Sequence, residues 1–283
     1  MLKKIVTHPG TAHGDDFLAC CILAAKFGAL IERHEPSQAE LDDAETLVLD
    51  VGGRLEPEKN NFDHHHDMAL PCALVLLLKH IGLHERFQRA YRWYDNVDFR
   101  DRNGLKALGA KYNLTDEQVL ELGSPVHTML ISMFEKLSAL DCLPNGYEQS
   151  YYEDVRDGNI LYEIMRRIGK ELIDHAEKYG AAWDRLEKCE AQNLRGYPVL
   201  INPSDDITAT GDYMRERKIV VMCSHDNRGA GWAILRSNDF PKINLALLAN
   251  DPRIAFAHKG GFIAKTKERV SVDTLFELLK LVV

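Results

Sequence analysis

Histidine and aspartate residues recur close together in the first third of the chain. His8, His13 and Asp15 follow the first apolar run, Asp50 follows a stronger one, and residues 63–66 are Asp-His-His-His. Imidazole nitrogens and carboxylate oxygens are ligands of divalent cations such as Mn²⁺, Fe²⁺ and Zn²⁺. Two neighbouring cations need about six ligands, one of them a bridging carboxylate. The residue types and spacing therefore predict a two-metal site with Asp50 as the bridge.

Each histidine taken alone has a simpler interpretation, because a single histidine at a strand end is usually a loop residue. Three consecutive histidines are also typical of expression tags, but tags are terminal and longer, whereas residues 64–66 are internal. Three polar clusters that each follow an apolar run are better explained together. Their joint occurrence favours a metal site.

The elements that must position these residues alternate between strand and helix. Apolar runs at residues 2–7, 30–34 and 46–51 predict strands, whereas residues 17–29 and 72–80 predict buried helices. Strands separated by helices form parallel sheets, and ligands bind such sheets at the carboxyl ends of the strands. We therefore expect the polar clusters to meet at one edge of a parallel sheet.

The rest of the chain has a different pattern. Residues 116–135 and 151–192 predict helices, and the second stretch is either one long helix or two helices that break near Gly180. After Gly196 several short apolar runs alternate with Asn, Asp, Gly and Pro, and a final helix begins at Ser271. This pattern predicts a second, smaller α/β unit with a mixed or antiparallel sheet.

Composition restricts the class of protein. The chain has 283 residues, of which 45% are hydrophobic and 28% are charged, as in a soluble globular protein with a proper core. A net charge of −8 argues against a general polyanion binder, so nucleic acid would need a local basic patch or a metal. The longest apolar run, residues 17–25, is too short to span a bilayer. We expect a cytoplasmic protein without membrane segments.

Four motifs occur in a recognisable order. They are Thr-His-Pro-Gly-Thr-Ala-His-Gly-Asp-Asp at residues 7–16, Asp-Val-Gly-Gly at 50–53, Phe-Asp-His-His at 62–65, and Phe-Ala-His-Lys-Gly-Gly-Phe-Ile at 256–263, followed by Thr266 and Glu268. Together they resemble the MYG-type family (melanocyte-proliferating gene) of the DHH phosphoesterase superfamily. The resemblance reaches both ends of the chain but does not extend residue by residue through 116–192.

The resemblance implies an α/β fold with two domains and the active site in the cleft between them. The expected parts are a DHH-like metal-binding catalytic domain at residues 1–145, a helical connector at 146–195 and a C-terminal substrate-binding domain at 196–283. Gly14, Asp16 and His66 depart from the usual family residues. These departures argue for a divergent member whose substrate differs.

The resemblance also implies the metal ligands. One cation would be held by His8, His13 and Asp50, and the other by Asp15, Asp50, His64 and either Asp98 or Asp95. Mn²⁺ is the preferred ion, with Mg²⁺, Fe²⁺ and Zn²⁺ as alternatives. Asp63 would orient His64 from behind, and His65 would face the substrate phosphate, so these two residues are the candidate catalytic groups.

A substrate-binding segment is expected in the C-terminal domain. It contains His258, Lys259, Gly260 and Gly261, a basic patch with Lys265 and Lys267, and a weaker phosphate candidate at Arg228. Cations beside glycine amides suit phosphate. The alternative is an ordinary hairpin turn with a solvated charged face.

The implied function is hydrolysis of phosphodiester bonds, as an exonuclease or a nucleotide phosphodiesterase. The substrate would be a phosphorylated small molecule or a short nucleic acid, and a homodimer is left open. An HD-type phosphohydrolase is a rival because residues 65–67 include a His-Asp pair, but that fold is all-helical. The second rival is a non-catalytic metal-binding or nucleotide-binding module with the same fold.

Overall fold

The computed structural model describes residues 2–121, 125–136 and 160–282. The chain forms two compact units, Met1–Glu177 and Lys178–Val283, each with its own sheet. The expected α/β class with two sheets is confirmed. The expected boundary at residues 145/146 lies outside the described residues, and no described helix is both long and apolar enough to cross a membrane.

Unit 1 alternates strands and helices in its first half and is helical afterwards. The strands are β1 (Lys4–Thr7), β2 (Leu30–Arg33), β3 (Thr46–Leu49), β4 (Leu55–Glu56) and β5 (Asn61–Phe62). The helices are α1 (Gly14–Phe27), α2 (Gln38–Leu41), α3 (Ala73–His80), α4 (His84–Ala90), α5 (Tyr94–Lys111), α6 (Asp116–Glu121), α7 (Pro125–Glu135) and the start of α8 (Ile160–Glu187).

The sheet of unit 1 has the order β2-β1-β3-β5-β4. All neighbours are parallel except β4 and β5, which form an antiparallel edge. β3 is buried along its whole length, as expected for a strand covered on both faces. The parallel sheet predicted from the sequence is therefore confirmed, with two short strands, β4 and β5, that the sequence pattern did not indicate.

Helix α1 begins directly after the first polar loop. The side chain of Asp16 accepts the backbone N–H of His13, which satisfies a donor at the helix start. Gly28 ends the helix in the left-handed conformation, with φ 64°. Between these ends the helix is almost entirely buried, and it packs against α3. The sequence thus fixes where α1 starts, and the start carries the Asp15 and Asp16 side chains into the site.

Unit 2 contains a six-stranded mixed sheet of order β10-β11-β9-β8-β7-β6. Its strands are β6 (Gln192–Leu194), β7 (Tyr197–Ile201), β8 (Val221–His225), β9 (Trp232–Arg236), β10 (Ile254–Ala257) and β11 (Ile263–Thr266). Only β7 and β8 are parallel among the described strands of this sheet. The helices α9 (Thr210–Glu216) and α10 (Val272–Lys280) complete the unit, which confirms the predicted mixed sheet.

Helix α8 runs without interruption through Gly180, so the alternative of two helices broken there is wrong. Ala176, Tyr179 and Trp183 are buried at the spacing of one helical face, and this packing holds the helix through the glycine. The division between the two units falls within α8, after Glu177. Residues 151–159 of the predicted helix lie outside the described residues.

The packing of α8 against α1 generates a stability prediction. An ideal Cβ at Gly169 would lie 1.9 Å from the backbone oxygen of Cys21, and that atom cannot move without displacing α1. Gly169→Ala should therefore lower the free energy of unfolding by about 1–3 kcal/mol, despite the better helix propensity of alanine. The control is Gly211→Ala in α9, where a Cβ meets no atom within 4 Å. Equal melting temperatures for both variants would contradict this close packing.

Candidate metal centre

The polar residues selected from the sequence follow the carboxyl ends of three neighbouring parallel strands. His8 follows β1, Asp50 follows β3, and Asp63 and His64 follow β5. Parallel strands end at the same edge of a sheet, so these side chains meet there. Together with residues from α1 and α5 they form what we call the carboxylate–histidine cluster, which consists of His8, His13, Asp15, Asp16, Asp50, His64, His65 and Asp101.

Asp50 is the central member of this cluster. Its Oδ1 lies 3.1 Å from His64 Nε2, and its Oδ2 lies 3.5 Å from His8 Nε2. The residue has φ 60°, a left-handed conformation that costs free energy for a residue with a side chain. Its N–H donates to the Phe62 carbonyl. The strain is held by the neighbouring strand and directs the two carboxylate oxygens towards different histidines.

The turn after Asp50 requires glycine. Gly52 has φ 92°, and a Cβ there would lie 2.9 Å from Leu41 Cδ2. Gly53 has φ 69°, and its N–H donates to Asp63 Oδ2 over 2.5 Å. The Asp-Val-Gly-Gly motif therefore lets the backbone turn beside β5 and holds Asp63.

Three overlapping sets of residues place potential ligand atoms within 4.8 Å of one another. They are His8, His13 and Asp50; Asp50, His64 and His65; and His13, Asp15 and Asp101. Asp50 belongs to two of these sets, and so does His13. A cluster with shared members can hold two neighbouring cations, because a shared carboxylate can bridge them.

Asp101 is a cluster residue that sequence reasoning missed. Its Oδ2 lies 3.3 Å from His64 Nε2, and its Oδ1 lies 3.9 Å from His13 Nδ1. The expected ligands Asp98 and Asp95 have other contacts. Asp98 accepts from the Cys72 N–H and from Arg102, and Asp95 accepts from the Gln88 amide.

The helical period contains the signal that would have suggested Asp101. Residues three apart lie near each other on a helix, so a helical prediction for residues 94–111 would have made Asp101 a candidate beside Asp98. The family resemblance implied Asp98 or Asp95 instead. The structure places Asp98 against the start of α3 and Asp101 against the histidines.

Asp63 holds His65, whereas we expected it to hold His64. Its Oδ1 lies 2.7 Å from His65 Nδ1 and also accepts the His65 backbone N–H. Burial acts to raise the pKa of Asp63, but the hydrogen bonds from His65 and Gly53 lower it overall. An ionised Asp63 requires a proton on His65 Nδ1, which leaves the Nε2 atom for another partner.

Asp16 and Arg33 support the cluster from the sheet side. Asp16 Oδ2 lies 3.2 Å from His8 Nε2 and 3.8 Å from an Arg33 guanidinium nitrogen. Arg33 donates to the Phe134 and Gly10 carbonyls, which fix its position. From the sequence, Asp16 is only a departure from the usual family residues, whereas in the structure its Oδ2 faces His8.

Eight buried side-chain atoms of the cluster make no hydrogen bond to any described residue. They are His8 Nε2, His64 Nε2, Asp16 Oδ2, Asp101 Oδ2 and both carboxylate oxygens of Asp15 and Asp50. Buried anions without partners cost free energy, and a coordinated cation removes that cost. The mixed imidazole and carboxylate donors fit Mn²⁺, Fe²⁺ or Zn²⁺. The residues present therefore suit the divalent cations that the sequence predicted.

The pKa values of the metal-free cluster are displaced in the direction that this burial requires. Burial, followed by the charge of Asp16, raises the pKa of Asp50 to about 8. Burial and the charge of Asp50 raise the pKa of Asp15 well above its ordinary value. The contact with the Asp16 carboxylate raises the pKa of His8 to about 9. The metal-free site therefore retains protons at neutral pH.

The predicted substrate-binding residues form a separate feature of unit 2. Residues 258–262 are the turn between β10 and β11, which agrees with the hairpin alternative. Lys259 is exposed, and the Gly260 N–H donates to His258 Nδ1. Lys265 pairs with Asp226, and Arg228 and Lys267 are exposed. Lys259 in the turn and Lys267 directly after β11 are therefore exposed to solvent, whereas Lys265 on β11 is paired with Asp226.

Comparison with known proteins supports the family resemblance at the N-terminus. Residues 4–69 match MYG1_exonuc, described as an uncharacterised protein family (UPF0160). The same region is 35% identical over 66 residues to the MYG1 exonuclease of Rattus norvegicus and 33% identical to that of Homo sapiens. The resemblance to the MYG family is therefore confirmed over residues 4–69.

The matches cover only part of each relative. The chain spans 16% of the rat protein and 17% of the human protein. A longer match, 24% identical over 194 residues, covers 63% of this chain and 57% of the MYG1 protein of Dictyostelium discoideum.

Two solved structures align along almost the whole chain at low similarity. One is the pGpG-specific phosphodiesterase PggH of Vibrio cholerae, with a TM-score of 0.30, 12% identity and 99% of that chain covered. The other is RecJ from Thermus thermophilus in complex with Mn²⁺, with a TM-score of 0.31, 13% identity and 51% of that chain covered. Scores at this level do not establish a shared fold.

The retained protons generate a prediction for the pH dependence of stability. A raised folded-state pKa stabilises the protein below the unfolded value, and this contribution is lost as pH rises through the folded value. For Asp50 the window runs from its ordinary value of 3.8 to about 8, and for His8 from 6.5 to about 9. The melting temperature of metal-free protein should therefore fall between pH 5 and pH 8.

Added Mn²⁺ should raise the melting temperature more at pH 8 than at pH 5, because the ligands must be deprotonated to bind it. Metal at 100 times its Kd adds about 2.7 kcal/mol to the stability. The metal-free Asp50→Asn variant should show a shallower pH dependence than the wild type. A metal-free protein that becomes more stable towards pH 8 would contradict the proton retention.

Proposed function

From the MYG-type segment at residues 4–69 and the carboxylate–histidine cluster at its strand ends, we propose that the protein is a two-metal phosphodiesterase. The main support is the position of Asp50. Both of its buried oxygens lack a hydrogen bond to the described residues, and they lie near histidines from two different strand ends. A bridging carboxylate in a two-cation site has this environment.

The ligands divide between two positions. We assign His8, His13 and Asp50 to one cation, and Asp15, Asp50, His64 and Asp101 to the other. Asp101 replaces Asp98 and Asp95 in this assignment because of its distances to His64 and His13. Asp16, which caps α1 and contacts His8, orients that histidine.

When bound, such a pair of cations supplies an activated water and offsets charge on the phosphoryl oxygens. The chain supplies the geometry and the proton. His65 is 59% exposed at its side chain, which leaves it accessible to a substrate, and Asp63 fixes its Nδ1 proton. We assign His65, in its doubly protonated form, to contact the phosphate and to give its Nε2 proton to the leaving oxygen, which leaves a neutral ring with the Nδ1 proton on the side of Asp63. Asp63 acts through His65 and is a positioning residue.

The substrate class follows from charge as well as chemistry. A chain of net charge −8 attracts a long polyanion poorly, so short oligonucleotides or nucleotide phosphodiesters are the proposed substrates. Lys259 in the β10–β11 turn has no ion pair among the described residues and remains the candidate for a remote phosphate. We also propose that the protein is cytoplasmic and that it forms a homodimer.

The ligand assignment predicts a difference between two neighbouring aspartates. Asp50→Asn and Asp101→Asn should each lower the bound Mn²⁺, measured by elemental analysis after dialysis, and reduce turnover by at least about 100-fold. Asp98→Asn should retain the metal because Asp98 bonds to Cys72 and Arg102. Circular dichroism checks that all three variants fold. Loss of metal in Asp98→Asn with retention in Asp101→Asn would reverse the assignment.

The function itself is tested with a substrate panel of short RNA, short DNA, a linear dinucleotide and cyclic dinucleotides. EDTA-treated protein should recover activity more fully with Mn²⁺ than with Mg²⁺, because imidazole ligands suit Mn²⁺ and Mg²⁺ prefers oxygen. Greater recovery with Mg²⁺ would contradict the proposed ligand set. A protein that binds Mn²⁺ but cleaves no member of the panel would favour the non-catalytic alternative.

A further inference from the structure

A cavity of about 530 Å³ adjoins the carboxylate–histidine cluster within unit 1. Cavities that bind small molecules have volumes of about 300–1,000 Å³. The cavity lies between α1, α5 and α7, and it is distinct from the hairpin of unit 2. Its lining includes members of the cluster, apolar side chains of all three helices, and Arg100.

One end of the cavity is formed by the cluster itself. His13, Asp15 and Asp101 line it, and these three residues form one of the sets that can hold a metal ion. A phosphate bound at the cluster would therefore have this cavity beside it. A substituent on that phosphate can enter the cavity without leaving unit 1.

Part of the cavity lining is apolar. Leu18, Val97, Leu105 and Ile131 are all partly exposed, and all four line the cavity. Burial of this apolar surface by an organic group is favourable. A phosphate or a bare sugar would bury little apolar surface there and would gain little. These four apolar side chains therefore suit the base of a nucleoside better than a second phosphate.

Arg100 supplies the positive charge at this cavity. It precedes Asp101 on α5, its side chain is exposed, and no acidic side chain of the described residues pairs with it. The other arginine of α5, Arg102, forms an ion pair with Asp98. A guanidinium group can bind phosphate oxygens through two parallel hydrogen bonds. An arginine without an ion pair, next to the proposed phosphate position, is therefore suited to bind that phosphate.

We infer that this cavity binds the nucleoside of the scissile nucleotide, with the base against Leu18, Val97, Leu105 and Ile131 and with Arg100 on the phosphate. This inference rests on the proposed phosphodiesterase function and adds where the substrate is recognised. Nucleoside binding then belongs to unit 1, and the β10–β11 turn of unit 2 is left for more distant phosphates.

Two chromogenic esters with the same leaving group test the inference on Mn²⁺-loaded protein. Thymidine 5′-(p-nitrophenyl phosphate) carries a nucleoside, and methyl p-nitrophenyl phosphate carries only a methyl group. The wild type should prefer the nucleoside ester in kcat/KM by at least about tenfold, the range expected for one apolar pocket. A preference near one would overturn the inference while leaving the phosphodiesterase activity intact.

Leu105→Trp fills the cavity and should reduce this preference to less than about threefold. Lys106→Trp is the matched control, because Lys106 is exposed on the same helix and does not line the cavity, and it should keep the wild-type preference. Metal content is measured for both variants. An unchanged preference in Leu105→Trp with full metal content would overturn the inference.

Arg100→Gln should lower kcat/KM for both esters by a similar factor of about ten, the loss of one charge-assisted hydrogen bond. Wild-type values for both esters in this variant would contradict the assignment of Arg100 to the phosphate.

Failure of the proposed function is recognised separately. If the wild type hydrolyses neither ester, titration calorimetry with thymidine 5′-monophosphate and Mn²⁺-loaded protein decides the binding question. Affinity at least about tenfold weaker in Leu105→Trp than in Lys106→Trp would support a nucleoside cavity in a non-catalytic protein. Equal affinities in the two variants would overturn it.

Discussion

The structure of unit 1 depends on the burial of several carboxylates at one place. Asp15, Asp16 and Asp50 are almost completely inaccessible to solvent, and Asp101 approaches the same histidines from α5. Like charges in a poorly solvated site repel one another, and they are stabilised only by protons or by cations. The raised pKa values of Asp15 and Asp50 reflect stabilisation by protons. The proposed two-metal site would provide stabilisation by cations. The stability of the cluster and its proposed chemistry therefore have the same electrostatic origin.

The surrounding scaffold keeps these charges together. Parallel strands bring His8, Asp50 and Asp63 to one edge, and the strained backbone at Asp50 is held by its hydrogen bond to Phe62. Behind the cluster, α1 is buried along most of its length and contacts α8 closely at Gly169. Rigid packing of this kind prevents the carboxylates from separating to relieve their repulsion. The fold thus holds these carboxylates close enough together for a cation to bind them.

The proposed nucleoside cavity lies mostly outside the segment that matches the family model. The family match covers residues 4–69, which include most of the proposed metal ligands. Asp101, Arg100 and most of the cavity lining lie on α5 and α7, outside the matched segment. A divergent α5–α7 region beside a retained metal edge would change the substrate and preserve the chemistry, since specificity depends on contacts outside the reacting centre.

The sequence by itself determined the parallel sheet of unit 1, the mixed sheet of unit 2 and the meeting of His8, Asp50 and His64, because strand periodicity and strand order decide which residues share an edge. Tertiary structure decided what local pattern leaves open. Asp98 and Asp101 are one helical turn apart, and the rotation of α5, fixed by contacts such as that of Asp98 with Cys72, selects between them. The partner of Asp63 and the continuity of α8 through Gly180 likewise depend on packing between segments that are distant in the chain.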